Sequence, residues 1–220
     1  LGRGLPGLPS VRHLETLARG PGRPAQRRSG RDAGRPDRWR LHRAAGDRPG
    51  RLLAPGADGM STDLAREVIT ACRAAGLKLA TAESCTGGLI AGALTDIPGC
   101  SDVVEGGVVS YSQAVKRKIL GVSARTLAEY GVVSEEVAQE MAEGAWSHLG
   151  CDLAVATTGV AGPGPADGAP EGRVCFAVSG PVYTRTETVD FGAIGRDAVR
   201  AAAVAHALEM LLATLRRLQP

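Results

Sequence analysis

From about position 61 the apolar residues fall into two alternating rhythms. Segments with an apolar residue every three or four positions give way to short runs that are apolar almost throughout. Ser61, Thr62 or Asp63 can cap a helix running to about Ala75, where Gly76 ends it. A strand is predicted over 77–82 ("LKLATA"), then a helix over about 87–96, stopped by Pro98-Gly99. The Val-rich run "VVEGGVVSYS" (103–112) reads as a second strand. Two short helices, "SQAVKRKIL" and "SARTLAEYG", precede a longer one capped by Ser134. Glu135 and Glu136 lie in its first turn, where the helix dipole favours acids. Its apolar face is Ala138, Met141, Ala142, Ala145 and Leu149.

The run "DLAVATTG" (152–159) has the continuous apolar character of a strand buried on both faces. The loop "VAGPGPADGAPEG" follows, then two strands, "RVCFAVSG" and "VYTRTETVDF", joined as a hairpin at Gly180-Pro181. A last helix spans about Arg196 to Leu218, with Val204, Leu208, Leu211, Leu212 and Leu215 as its buried stripe. Alternating helices and strands predict an α/β sandwich around a mixed sheet of about five strands. No internal repeat is visible.

The first 59 residues lack both rhythms. They contain 11 Gly, 7 Pro, 13 Arg, no Lys and 5 acids. Such a segment cannot bury enough apolar surface to offset its ordering entropy. Three readings are open: a disordered basic tail that touches nucleic acid, an inert tail, or an upstream reading outside the natural protein, with Met60 opening a domain at 60–220. This segment carries +8 and the remainder −5, so the formal net charge of +3 does not argue for a nucleic-acid partner of the domain. The five cysteines, Cys72, Cys85, Cys100, Cys151 and Cys175, form no C-x-x-C pair, which argues against a disulfide framework or zinc site and fits a reducing compartment. No apolar stretch reads as a membrane span and no secretory signal is evident, so a cytoplasmic protein without membrane contact is expected.

In open α/β sheets, sites gather where strands end. Three such ends carry unusual residues: "ESCTGG", "SYSQAVK" and "TTGVAGPGP". At the first, Ser84 or Thr86 can simply cap the next helix; alternatively Ser84, or the thiol of Cys85, is a nucleophile at a sharp turn. The backbone N–H groups of Thr86, Gly87 and Gly88 would then face an oxyanion or a phosphate. At the second, Lys116 is either a solvated lysine beside Arg117 and Lys118, or a desolvated, neutral general base near Tyr111. His13, His42, His148 and His206 offer no triad partner, which leaves lysine as the base. At the third, Gly159 and Gly162 would let a ligand approach the backbone. Arg196 and Arg200, one turn apart, are either surface charge or a cation for a phosphate or oxyanion.

Together "TAESCTGG", "IPGCSDVVEGGVVSYSQAVKRKILGV", "TLAEYGVVSEEVAQEMAEGA", "ATTGVAGPGP" and "GRDAVR" resemble the C-terminal domain of CinA-type competence-damage-inducible proteins, over about residues 62–215. Stand-alone domains of that family are nicotinamide mononucleotide amidohydrolases of a serine/lysine type. The resemblance implies a three-layer α/β/α domain with a mostly parallel sheet, frequent self-association as a dimer or higher oligomer, and no metal or organic cofactor. It implies that Ser84 is the nucleophile, Lys116 the base, Tyr111 a positioning or relay group, and Arg200 a substrate or transition-state contact. The implied reaction converts nicotinamide mononucleotide to nicotinate mononucleotide and ammonia, a step of pyridine nucleotide salvage. The alternative is a nucleotide-binding module without turnover, linked to competence or DNA damage. Two departures stand out. The segment before Met60 is too short for the family's N-terminal domain, and relatives commonly read "GPGGG…KPVG" where this chain has "GPGPADGAPEG". Pro165 and Glu171 are expected to reshape that rim.

Overall fold

The computed structural model describes residues 57–181 and 183–218. The expectations for residues 1–56, including the choice among tail readings, lie outside the described residues. Helix α1 (Ala57–Ala75) leads into β1 (Leu79–Glu83), α2 (Leu89–Thr95), a 3-10 turn at Cys100–Asp102, and β2 (Val104–Val109). Then come α3 (Gln113–Leu120), α4 (Ala124–Tyr130), α5 (Glu135–Leu149) and β3 (Leu153–Gly159). The chain closes with β4 (Arg173–Gly180), β5 (Tyr183–Asp190) and α6 (Arg196–Leu218).

The five strands form one sheet in the order β2-β1-β3-β4-β5. β1 pairs in parallel with both β2 and β3, whereas β4 is antiparallel to β3 and to β5. Only β4 therefore runs against the other four, as a mixed, mostly parallel sheet requires. Strand periodicity sends alternate side chains to opposite faces, and here it also sorts them by size. Leu79, Leu153, Val155, Val174, Phe176 and Val178 join one core with α1, α2 and α6. Ala80, Ala82, Ala154, Ala156, Cys175 and Ala177 face the other core, built largely on α5. Small residues on the sheet meet Ala138, Ala142 and Ala145 on the helix, so α5 lies close to the strands. Gly144 lets α5 approach α3 as closely, since a Cβ there would run into the backbone carbonyl of Leu120.

Three local expectations need correction. α1 starts at Ala57, so Ser61, Thr62 and Asp63 lie within the helix and do not cap it. The last proline before it is Pro55, and Gly59 weakens the first turn without breaking it, so the helix begins ahead of Ser61. β2 stops at Val109 because Ser112 becomes the N-cap of α3, its hydroxyl accepting from Val115 N at 3.3 Å. Finally, α6 is long and apolar enough to cross a membrane. In this fold its Val199, Leu208, Leu211 and Leu215 are buried with α1 and the sheet, as a core helix requires.

Candidate active site

Because β1, β2 and β3 run parallel, their carboxyl ends open at one end of the sheet. The turn after β1, the turn into α3 and the glycine-rich loop after β3 meet there. A small cleft of about 180 Å³ is lined by Ser84, Cys85, Tyr111, Gly159 to Gly164, Ala166, Asp167 and Arg196.

Glu83 organises the turn that carries Ser84. Its carboxylate is fully buried and accepts the backbone N–H groups of Gly88 (2.9 Å), Ile90 (3.1 Å) and Ala91 (2.9 Å). The first turn of α2 is thereby satisfied by an acid that precedes it, in keeping with the helix dipole. Neither Ser84 nor Thr86 caps α2. The N-cap is Gly88, whose φ of 95° is open to glycine at little cost. Ser84 N donates to Thr157 O at 3.0 Å, extending the β1–β3 alignment by one residue. The Thr86 hydroxyl shares a 2.8 Å hydrogen bond with that of Thr157.

Lys116 projects from α3 into the protein, 1% exposed, and its Nζ donates to Ser84 Oγ at 2.8 Å and to Ser110 O at 2.6 Å. Among the described residues no carboxylate forms an ion pair with it. Burial lowers its pKa from 10.5 to about 8, against a smaller opposing pull from Cys85 and Asp167. The amine can therefore lose its proton near neutrality while in contact with a serine hydroxyl, the requirement for a general base. Cys85 next door behaves oppositely: burial pushes its thiol up to about 11, which leaves it protonated and a poor nucleophile.

The turn holds some predicted groups and uses up others. Gly87 N donates to Ser84 O at 3.1 Å and Gly88 N to Glu83, so neither faces the cleft as a free donor. The N–H groups of Cys85 and Thr86 lie against the Cys85 sulfur and, among the described residues, reach no oxygen acceptor. Arg200 does not line the cleft either. Its Nε and an Nη donate to Cys85 O (3.1 Å) and Thr86 O (2.9 Å), so it braces the turn from behind. The cleft's cation is Arg196, which donates to Gly162 O at 2.9 Å and to the Tyr111 hydroxyl at 3.0 Å. Tyr111 is 64% exposed at the rim, and its hydroxyl bonds neither Ser84 nor Lys116. Gly159 and Gly162 line the wall of the cleft. Glu171 sits behind it, accepting Gly164 N at 2.6 Å, and neither it nor Pro165 lines the cleft.

Sequence reasoning missed Glu83 and Asp167 and left Arg196 undecided against Arg200. For Glu83 a signal existed: an acid at a strand end, six residues before a helix start, is placed to accept the helix's first N–H groups. His148 and His206 lie away from the cleft, and no group of three or more potential metal ligands occurs among the described residues.

The family model of the CinA C-terminal domain matches residues 61–215. A CinA-like protein of Synechococcus sp. (strain CC9902) is 47% identical over 150 residues, which is 67% of this chain but 36% of that protein. The chain thus spans about a third of the length of the curated relatives it matches. Among solved structures, a competence/damage inducible protein from Agrobacterium tumefaciens superposes with a TM-score of 0.69 at 45% identity, covering 74% of this chain and 98% of the other. The competence damage-inducible protein A of Klebsiella pneumoniae gives a TM-score of 0.69 at 41% identity, covering 72% and 99%.

Proposed function

The chain belongs to the CinA C-terminal domain family, and from that membership and the Ser84–Lys116 contact we propose that it hydrolyses the carboxamide of nicotinamide mononucleotide. The observation that carries the chemistry is a buried, unpaired lysine 2.8 Å from a serine hydroxyl at the bottom of a cleft. The choice of substrate rests on the resemblance to stand-alone family members. The products are nicotinate mononucleotide and ammonia.

In its neutral form Lys116 reverses the present contact and accepts the Ser84 proton as Oγ attacks the amide carbon. The tetrahedral oxyanion takes the N–H groups of Cys85 and Thr86 in place of the Cys85 sulfur they now face, each such donor being worth ~3 kcal/mol in comparable sites. The protonated Lys116 returns its proton to the amide nitrogen, the C–N bond breaks, and ammonia leaves. Water, deprotonated by Lys116, then attacks the acyl-serine ester. That step releases the carboxylate and restores the Ser84 hydroxyl. Arg200 keeps the turn in register by holding the carbonyls of Cys85 and Thr86. Tyr111 acts at the rim, positioning Arg196 toward the substrate phosphate, and relays no proton.

The test is ammonia release from nicotinamide mononucleotide by the purified chain and by Ser84→Ala and Cys85→Ala. Loss with the first and retention within a few-fold with the second support the reading. Full deamidation by Ser84→Ala would end it, and tight binding without ammonia release would point to a nucleotide-binding module instead.

A further inference from the structure

The loop that departs from its relatives puts an exposed acidic residue on the lining of the cleft. Asp167 and Gly168 are the two central residues of a tight hairpin closed by Ala166 N to Ala169 O (3.1 Å) and Ala169 N to Ala166 O (2.9 Å). Both have positive φ, 51° and 77°, the arrangement of a two-residue hairpin turn in which Asp-Gly is a favoured pair. Turn chemistry alone would explain that choice of residues. It does not explain where the side chain goes. Asp167 lines the same cleft as Ser84, and among the described residues it has no hydrogen-bond donor and no ion-pair partner. The cleft's one lining cation, Arg196, is engaged with Gly162 and Tyr111 instead.

The cleft lining thus holds two formal charges of opposite sign, Asp167 and Arg196, around a neutral nucleophile and glycine-rich walls. A ligand with a cationic ring and an anionic tail matches that pattern, and an amide on a neutral ring does not. We propose that Asp167 sets the ring-charge preference of this cleft, favouring carboxamides borne on a cationic heteroaromatic ring over their uncharged counterparts. This rests on the deamidation reading above and adds to it the group that reads the pyridinium. The Asp167 charge opposes, in small part, the lowering of the Lys116 pKa by burial, so a ring cation in the cleft would feel it as well. A carboxylate roughly 6–8 Å from a unit charge, at an effective dielectric between those of protein surface and bulk water, changes affinity about five- to tenfold.

The variant that separates the two explanations is Asp167→Asn. Asparagine tolerates the same left-handed backbone, so the turn is kept and only the charge is lost. Wild-type and variant are compared, on the alkaline plateau of the rate, for kcat and KM with nicotinamide mononucleotide. The competitive Ki of its reduced, dihydropyridine form, which has the same amide and phosphate but an uncharged ring, is measured alongside. The expected result is a KM for the cationic nucleotide raised about five- to tenfold, with the Ki of the uncharged form within twofold of wild type. Equal losses for both nucleotides, or no change for either, would overturn the role of Asp167. If the wild-type chain releases no ammonia, the deamidation reading fails, and calorimetric titration of both nucleotides into both proteins still decides whether Asp167 discriminates ring charge.

Discussion

Lys116 makes the stability of this protein rise with pH, opposite in direction to a lysine held in an ion pair. Its pKa is lower in the folded chain (about 8) than the 10.5 of an exposed lysine. Unfolding therefore takes up a proton between those two values, and stability rises with pH across the window. Below about pH 8 the side chain is charged in both states, and the full cost of burying that charge is present. At 1.36 kcal/mol per pKa unit, the displacement corresponds to about 3 kcal/mol. Replacing Lys116 by Met keeps the unbranched chain up to the ε position and removes the charged terminal nitrogen. The change also leaves Ser110 O and Ser84 Oγ without their donor, at a cost of about 1–3 kcal/mol that does not vary with pH. The slope, not the offset, thus isolates the buried amine. Urea unfolding of wild-type and Lys116→Met, followed by far-ultraviolet circular dichroism at pH 7, 8, 9 and 10, gives the difference in stability at each pH. Titrations common to both proteins cancel. Wild type should gain on the variant by about 2–3 kcal/mol between pH 7 and 10. A flat difference, or one that falls with pH, would refute the claim that Lys116 is buried with a weakened hold on its proton.

Two further outcomes follow from the same geometry. With Lys116 as base, kcat for ammonia release should rise about tenfold from pH 6.5 to pH 8 and level off above its pKa of about 8; a bell centred below pH 7 would point to a carboxylate or imidazole base instead. Glu83→Gln replaces one of the two acceptor oxygens that hold the start of α2 with an N–H₂ group that cannot accept, so a loss of about 2–4 kcal/mol is expected from urea unfolding, with circular dichroism at neutral pH as the check that the fold survives.

The layout of the fold was largely legible because its periodicities are clean. The nearly unbroken apolar run of β3 and the stripe of α6 each have one physical solution, and both lie where the pattern puts them. The two faces of the sheet were not distinguished, since sorting Ala to one side and Leu, Val and Phe to the other becomes visible only once strand register is known. Lys116 was ambiguous for a local reason. Its neighbours Arg117 and Lys118 suggest a solvated face, yet Leu120 lies one turn on, and these two are the buried residues of α3. The i, i+4 spacing put Lys116 in a slot otherwise reserved for an apolar side chain. The choice between Arg196 and Arg200 was not legible at all. They lie one turn apart on one helix, and only the packing of α6 against the Ser84 turn sends one behind the turn and the other into the cleft.

In the proposed reaction, the electrostatics of the turn bear on how Ser84 would be activated. A strand-to-helix turn commonly offers its nucleophile the positive end of the following helix, which would stabilise an alkoxide directly. Here that end is occupied, because Glu83 takes the N–H groups of Gly88, Ile90 and Ala91 and brings a full negative charge to the residue before Ser84. A serine flanked in this way is no easier to ionise in advance, so its proton has to leave as the bond to carbon forms. That places the demand on a base already in contact and already weakened in its grip on a proton, and Lys116 meets both conditions. It also leaves, for stabilising the intermediate of the proposed reaction, the N–H groups of Cys85 and Thr86, which would have to turn from the Cys85 sulfur to do so. Arg200, bound to the carbonyl of Cys85, fixes the peptide plane that carries the Thr86 N–H, although it lines no part of the cleft. Loss of its two-point hold should therefore act on kcat through the geometry of the turn and leave KM nearly unchanged.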